Sequence, residues 1–521
     1  MGRSVDRSHR HVPEGHRGTG GAAVVYRPGR EIYLLQAKTP SGSGIDLGSG
    51  AAMALNLPLK KILTEGWWPN TYDVLVYQKD SHVYAKDRNG NVICVDSPTA
   101  CLQEAVDMGG LIIIKPGTYI LNAKSQIPWS DPNTVLYAGV VVKKPFTRIV
   151  GVGNVWIKLG NNVGGSVIGI GSGANDVTIE GLYIDGNSQN NPDTGIDGDL
   201  TGIIPSMDIW RLTLRNIYVT NTTREGFYLH GAFCHFENLV TEWAGRAGRD
   251  GIVLDAVTYS SAFNLKTANV GRNGIYIIGA AILGGIQNVL NIDGIAVYGS
   301  QLFGVHVIHA QGVSISNIVT RRNAYDGVFI EDSEGVNIVN VYALENNRNG
   351  IYLYNSKNVS IINAFLLNNR YGCSNPMGSG ISLYNTKNTR LVAIKAYDNR
   401  STPCQRYAVE EISGSTSDYN ILIGGVLTPN SLGPYYLVGA NSKILDADVL
   451  TRTSGQATIP ANATSVTVRH GLICTPKKVL VTPLSQPPGS IWVSNITATS
   501  FDINVSAAPT ADLPVAWYAE C

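Results

Sequence analysis

Three carboxylates in the middle of the chain stand where they could do acid–base work. RDGIVLDA, residues 249–256, holds Asp250 and Asp255 around an apolar run, and REGFYLHG, residues 224–231, puts Glu225 in the position that Asp250 occupies and adds His230. Carboxylates about 5 Å apart suit a nucleophile and an acid/base, whereas a wider pair leaves room for a water between them. Like charges held close also push one pKa upward and create a proton donor near neutral pH. Arg224, Arg249 and Arg272 recur at the head of such octets, where they would hold acidic sugars or neutralise the carboxylates. Asp250 has a plainer reading as well. Asp and Asn before Gly form turns, and Asn273, Asp326 and Asn349 occupy the same place in related octets. Glu225 and Asp255 do not fit that turn rule.

The elements that would position these groups come from a repeat. Glycines opening apolar runs fall at Gly226, Gly251, Gly274, Gly304, Gly327, Gly350 and Gly380, in steps of 23 to 30 residues. A second run with alternating β-branched residues and an Asn-rich corner follows in VSISNIVTRRN at 313, VNIVNVYALENN at 336 and VSIINAFLLNN at 359. One such unit cannot bury its apolar face alone, but stacked units share a continuous core. Short strands with Asn and Gly corners predict a parallel β-helix, and no leucine-rich frame recurs.

Stacking turns the sequence into a map. If the residue after each glycine points inward, the next points outward. The inward set, Phe227, Ile252, Ile275, Val305, Val328, Ile351 and Ile381, is wholly apolar. The outward set includes Tyr228, Tyr276, Phe329 and Tyr352, an aromatic stripe spaced at about 4.8 Å per coil. Such a stripe could stack on sugar faces, or be covered by sister subunits, or stiffen the sheet by stacking on itself. Two residues further on, Asp255 is outward with His230 beside it on the preceding coil.

Upstream, an amphipathic stretch and Gly-Gly lead into LIIIKPGTYIL, residues 111–121. Here the chain resembles the pectate-lyase-like superfamily of right-handed parallel β-helix proteins. Many members open with a helix and a GG-x-[IV]-x-[IVL]-x-PG-x-Y segment, matched by Gly109, Gly110, Pro116, Gly117 and Tyr119. The resemblance spans about residues 95 to 450 and implies the fold. The N-T-D, D-D and G-H-G motifs of polygalacturonases, the calcium and arginine pattern of pectate lyases and the D-P-H-E motif of alginate epimerases are all missing, so it implies no reaction.

The rest of the chain reads in segments. Residues 1–70 are a Gly-rich arm for attachment, with one short apolar stretch, AAMALNLPLKKIL, of helical character. Residues 71–105 form a hairpin turning at Asn89-Gly90 and then a capping helix, and 106–450 form the solenoid. Residues 455–521 alternate cleanly and read as a small antiparallel β-sandwich, similar to the C-terminal modules of viral tail fibres and tailspikes, which trimerise or bind sugars.

Composition narrows the partners. The 40 basic and 39 acidic side chains nearly cancel, which argues against nucleic acid, and no apolar run of membrane-spanning length occurs. The N-terminus lacks the apolar core of a secretory signal, so assembly into a virion is an expected way out of the cell. Cys94 with Cys101, Cys373 with Cys404 and Cys474 with Cys521 could pair around a lone Cys234, in an oxidising or hot setting; small buried thiols are the other reading. The expectation is a homotrimeric, thermostable, tailspike-like protein at the virion surface or outside the cell that binds and depolymerises a polysaccharide. Glu225, Asp250, Asp255 and His230 would be catalytic. Arg224, Arg249, Arg272, Tyr228, Tyr276, Phe329 and Tyr352 would bind substrate. No cofactor is required, although the loop with Asp193, Asp197 and Asp199 could hold a structural Ca²⁺. The rivals are a non-catalytic adhesin and a secreted pectinase-like hydrolase or lyase.

Overall fold

The computed structural model describes residues 72–521, apart from 131–132, 134, 192–200, 280–288 and 448–450. The expected N-terminal arm and the acidic loop at 193–199 lie outside the described residues.

The chain is nearly all β. Two long sheets run the length of the solenoid, and the repeat strands that carry the candidate site residues pair in parallel. One sheet is built from short strands, among them Phe227–Leu229, Ile252–Asp255, Ile275–Ile278, Val305–Ile308, Val328–Glu331 and Ile351–Tyr354. The predicted inward set follows this register without a slip, Phe227 opposite Ile252, Ile252 opposite Ile275, and so on to Ile381, and every member is fully buried. A one-residue slip would turn that whole column outward, so burial itself fixes the register.

The other sheet carries longer strands such as Leu290–Tyr298 and Val313–Arg321. Each bends in its middle at a residue with positive φ. Asn317, Asn340 and Asn363 take φ of 56°, 58° and 57°, and Asn pays little for that conformation. Their side chains join from coil to coil, Asn340 Nδ2 to Asn317 Oδ1 at 3.0 Å and Asn363 Nδ2 to Asn340 Oδ1 at 2.8 Å. A second amide ladder is buried at the corner, where Asn346 donates to Asn369 at 3.1 Å and receives from Asn323 at 2.8 Å. The Asn-rich corners of the sequence are these ladders.

The open end of the core is closed by the helix Pro98–Met108. Ser97 caps it by accepting from the Ala100 amide, Pro98 sits in the first turn, and Gly109 ends it at φ 74°. Its buried face, Cys101, Leu102, Ala105 and Val106, packs on the first coils. The hairpin expected before it is a three-stranded meander, Val74–Lys79, His82–Asp87 and Val92–Asp96. The extra reversal lies at Asp80 and Ser81, whose φ of 48° and 65° supply a left-handed two-residue turn without the Asn-Gly signal. At the other end, two three-stranded antiparallel sheets enclose Ile459, Val468, Phe501, Ile503, Leu513 and Val515 as a small sandwich.

The three cysteine pairs close as spaced, with Cα separations of 5.3, 5.2 and 5.8 Å, and Cys234 remains a buried free thiol.

Candidate active site

Parallel register places the outward residues of the short-strand sheet in columns. Tyr228, Val253, Tyr276, His306, Phe329 and Tyr352 form one, and Asp255, Ile278, Ile308, Glu331 and Tyr354 the other. At the upstream end of this face lies a cleft of roughly 350 Å³. Seven of the eleven residues singled out from the sequence line it: Arg224, Glu225, Tyr228, Arg249, Asp250, Arg272 and Tyr276. The upstream part of the lining comes from Trp129, Leu136, Ile204 and Met207, which the sequence reading missed. One of them was findable, because Ile203 pairs with Phe227 and the register therefore sets Ile204 beside Tyr228. Trp129 and Leu136 border an antiparallel pair of strands, Ser125–Ile127 and Leu136–Val142, outside the glycine-led repeat.

Glu225 is 5% exposed. Burial raises the pKa of its carboxyl, and the charge of Asp250 raises it further, while its own backbone amide, Arg224 and Arg249 pull the other way. The result is a carboxyl biased towards its protonated form on the wall of a cleft, which is the state a proton donor needs.

Asp250 is fully buried and committed. It takes a two-pronged ion pair from Arg272 on the next coil, with the Nε arm at 2.8 Å, and accepts the Asn273 amide at 2.9 Å. The same corner recurs downstream, where Asp326 accepts the Asn349 amide at 2.8 Å and lies 3.8 Å from Arg348. The turn reading of Asp250 thus describes its contacts well: its oxygens hold a corner and a guanidinium. Glu225 is different. The corresponding place one coil before Asp326 belongs to Phe303, so the downstream corner has the aspartate and arginine without the acid.

Asp255 and His230 adjoin the cleft next to Tyr228 and Ile278 without being part of its lining. Tyr228, which does line it, donates a 2.6 Å hydrogen bond to Asp255, and His230 Nε2 stands 3.5 Å from the same carboxylate oxygen. Burial raises the Tyr228 phenol, with the Asp255 charge adding to it. Burial lowers His230, against the pull of Asp255. This chain holds a neutral phenol in a fixed direction at the cleft floor.

The exposed aromatic stripe expected further along is a covered stack. Tyr276 lies on His306 at 4.8 Å between ring centroids, His306 on Phe329 at 4.8 Å and Phe329 on Tyr352 at 5.1 Å. Phe329 is 8% and Tyr352 9% exposed, because Phe303, Leu302 and Met377 fold over them. Their ring faces are taken, which corrects their assignment as sugar platforms. Tyr276 keeps its place in the cleft beside Arg272, whose guanidinium lies 5.4 Å from its ring centroid.

Among the described residues, Arg249 has no ion-pair partner, no set of three or more His, Cys, Asp or Glu side chains gathers as a metal site, and no helix is long and apolar enough to cross a membrane.

Residues 250–424 match the family model for the right handed beta helix region. No curated protein matches the chain. Among solved structures, the A-module of mannuronan C-5 epimerase AlgE6 from Azotobacter vinelandii is 17% identical with a TM-score of 0.57, over 68% of this chain and 96% of that one. The AlgE4 A-module from the same organism is 18% identical with a TM-score of 0.54, over 67% and 96%. At such identities the likeness is one of fold, and with the register above it makes this chain a right-handed parallel β-helix protein.

Proposed function

We propose that the cleft binds an acidic extracellular polysaccharide and cleaves a glycosidic bond in it, with Glu225 as the proton donor. The observation that carries this reading is the raised carboxyl of Glu225 in a cleft walled by Arg224, Arg249 and Arg272. Glu225 would give its proton to the glycosidic oxygen as the bond breaks, so that the leaving sugar departs as a neutral hydroxyl. In hydrolysis a water then adds its hydroxyl to the anomeric carbon and releases a proton, and in elimination a ring proton is lost to water as the double bond forms. Arg249 would pair with a sugar carboxylate or other anionic substituent. Tyr228 and Tyr276 would meet the sugar ring. Asp250 serves by keeping Arg272 in place and adding to the upward push on the Glu225 carboxyl, and Asp255 with His230 by directing Tyr228. The mannuronan epimerase modules that share the fold add to the reading without assigning a reaction. Three disulfides suit an oxidising exterior, outside the cell or on a virion. The homotrimer belongs to the same proposal and is tested by mass in solution.

The experiment is incubation with a panel of acidic and neutral polysaccharides, using the parent protein and Glu225→Gln. New reducing ends without ultraviolet absorbance mean hydrolysis; reducing ends with absorbance from an unsaturated sugar mean elimination. Either product should vanish in Glu225→Gln. One observation favours a second reading, a binding spike without catalysis: Asp250 is fully engaged, which leaves Glu225 as the one carboxyl on the wall outside an ion pair among the described residues. Binding without any product from any glycan would establish that alternative.

A further inference from the structure

At the corner that follows the short strands, each coil pairs with the next through a single bridge, Trp210 to Ala232 to Thr258, and downstream Gln311 to Glu334 to Lys357 to Lys387. The residue after the bridge turns the chain with positive φ. Downstream it is Gly312, Gly335, Asn358 and Asn388, the residue types that adopt this conformation at least cost. On successive upstream coils the same position holds Arg211, Phe233, Tyr259 and Val289, at φ 58°, 57°, 50° and 40°, and the middle two are aromatic. Bulky side chains are unusual there, and these gain no core packing in return. Phe233 is 51% and Tyr259 53% exposed. Trp210, 49% exposed, completes a row: its ring lies 5.9 Å from Phe233, which stacks on Tyr259 at 5.3 Å and 13°. Tyr419 repeats the conformation singly at the far end of the column.

The geometry points to a second carbohydrate subsite, in which the exposed row of Trp210 and Tyr259, with Phe233 held between them, packs against uncharged ring faces of the same polysaccharide that enters the cleft. The site rests on the reading of the cleft and extends it. Met207, 57% exposed, lines the cleft and lies three residues before Trp210, so the two surfaces are continuous through one turn. From Tyr228 in the cleft to Phe233 is five residues, at most about 17 Å of extended chain, which an oligosaccharide can span. The neighbouring Arg211 is already closed on Asp176 at 2.5 and 2.7 Å, so the row offers exposed aromatic surface rather than charge. A second copy of this chain is a poorer occupant. Three half-exposed rings present about 300–400 Å² of apolar surface, against about 800 Å² per partner in a stable interface; downstream the exposed Val289 adds one small side chain before the column turns to Gly312 and Gly335.

The test uses Phe233→Asn with Tyr259→Asn, which installs the residue found at Asn358 and Asn388 and so preserves folding, and independently Trp210→Ala, where no positive φ is involved. Retardation in gels containing each polysaccharide is measured for the parent, both variants and Glu225→Gln, with cleavage assayed in parallel. The expected result is a retarded parent, at least fivefold weaker retardation of both aromatic variants, and normal retardation of Glu225→Gln without cleavage. Retardation of the aromatic variants equal to the parent overturns the subsite and leaves the cleft standing. A parent that is retarded but never cleaves, with weakened aromatic variants, overturns catalysis in the cleft and upholds the subsite. A parent that no polysaccharide retards overturns both. An aromatic variant whose mass in solution falls to that of a smaller assembly shows an interface between copies, and overturns the subsite too.

Discussion

Arg272 reaches back one coil to close on both carboxylate oxygens of Asp250. Asp250 is fully buried, whereas the Arg272 side chain is 35% exposed. The pair therefore joins a corner of the solenoid to the wall of the cleft, and it has separable structural and electrostatic roles.

Asp250→Asn should separate them. The amide still accepts the Asn273 backbone N–H but no longer neutralises Arg272. A loss of about 2 kcal/mol in urea unfolding is expected, below the about 3–5 kcal/mol of a fully buried broken pair because water still reaches the guanidinium. Asp250→Ala removes the acceptor as well and should cost about 1–3 kcal/mol more. Removing the Asp250 charge also removes one of the causes that raise Glu225, so any remaining cleavage should shift its pH dependence downwards.

Glu225 itself gives a signed pH prediction. A proton donor must be protonated, so kcat should fall as pH rises through the raised carboxyl pKa. Glu225→Gln should lower cleavage about 10²- to 10⁴-fold and leave polysaccharide affinity within about threefold. Stability follows the same sign. A carboxyl raised on folding contributes most below its unfolded value near 4.3 and loses that contribution as pH rises through the folded one. The slope of unfolding free energy against pH above that value should therefore be less negative in Glu225→Gln than in the parent, and an unchanged slope would contradict the raised carboxyl.

How far such a site can be read from sequence depends on what the period encodes. The glycine-led octets carry register, because inward positions such as Phe227 and Ile252 must be apolar in every coil. Register then fixes columns, which is why Glu225, Asp250 and Arg272 group from their sequence positions alone, and why His230 is expected beside Asp255. Coverage is a different matter. Phe329 and Tyr352 occupy the expected column, yet whether a ring meets solvent is decided by Phe303 and Met377 in the turns, whose course the period does not specify. The upstream lining escaped for a related reason, since Trp129 and Leu136 precede the regular coils. Phe233 and Tyr259 look unremarkable as letters, and only their backbone conformation sets them apart.

The covered stack makes the protein sensitive to acid. His306 lies between Tyr276 and Phe329, 7% exposed, and burial and then the charge of Arg272 lower its pKa from 6.5 to about 3. Its ring stays neutral and shares a 3.0 Å hydrogen bond with Glu331. A depressed histidine binds its proton more readily when unfolded, so stability is retained above about pH 6.5 and lost as pH falls towards 3, by up to about 1.4 kcal/mol per pH unit. Urea unfolding from pH 7 to 4 should show this slope in the parent and a shallower one in His306→Gln. Burial lowers His230 in the same direction, so the slope should not vanish until both are replaced.

Asp255 and Tyr228 provide the last test, because they separate orienting a group from reacting with substrate. Tyr228 lines the cleft and donates to Asp255 at 2.6 Å, whereas Asp255 is not on the cleft wall. If Asp255 only directs the phenol, an amide that still accepts the hydrogen bond should serve nearly as well. Asp255→Asn should then keep KM and kcat within about threefold, whereas Asp255→Leu, which strands the phenol, should raise KM about tenfold for a loss near 1.4 kcal/mol. Tyr228→Phe should match Asp255→Leu, and the double variant should be no worse than either, since both remove one interaction. The pH limb assigned to Glu225 should stay where it is in all three. If Asp255 were instead the nucleophile or the base, Asp255→Asn would fall with Asp255→Leu by orders of magnitude in kcat, and the Tyr228 variants would not follow it.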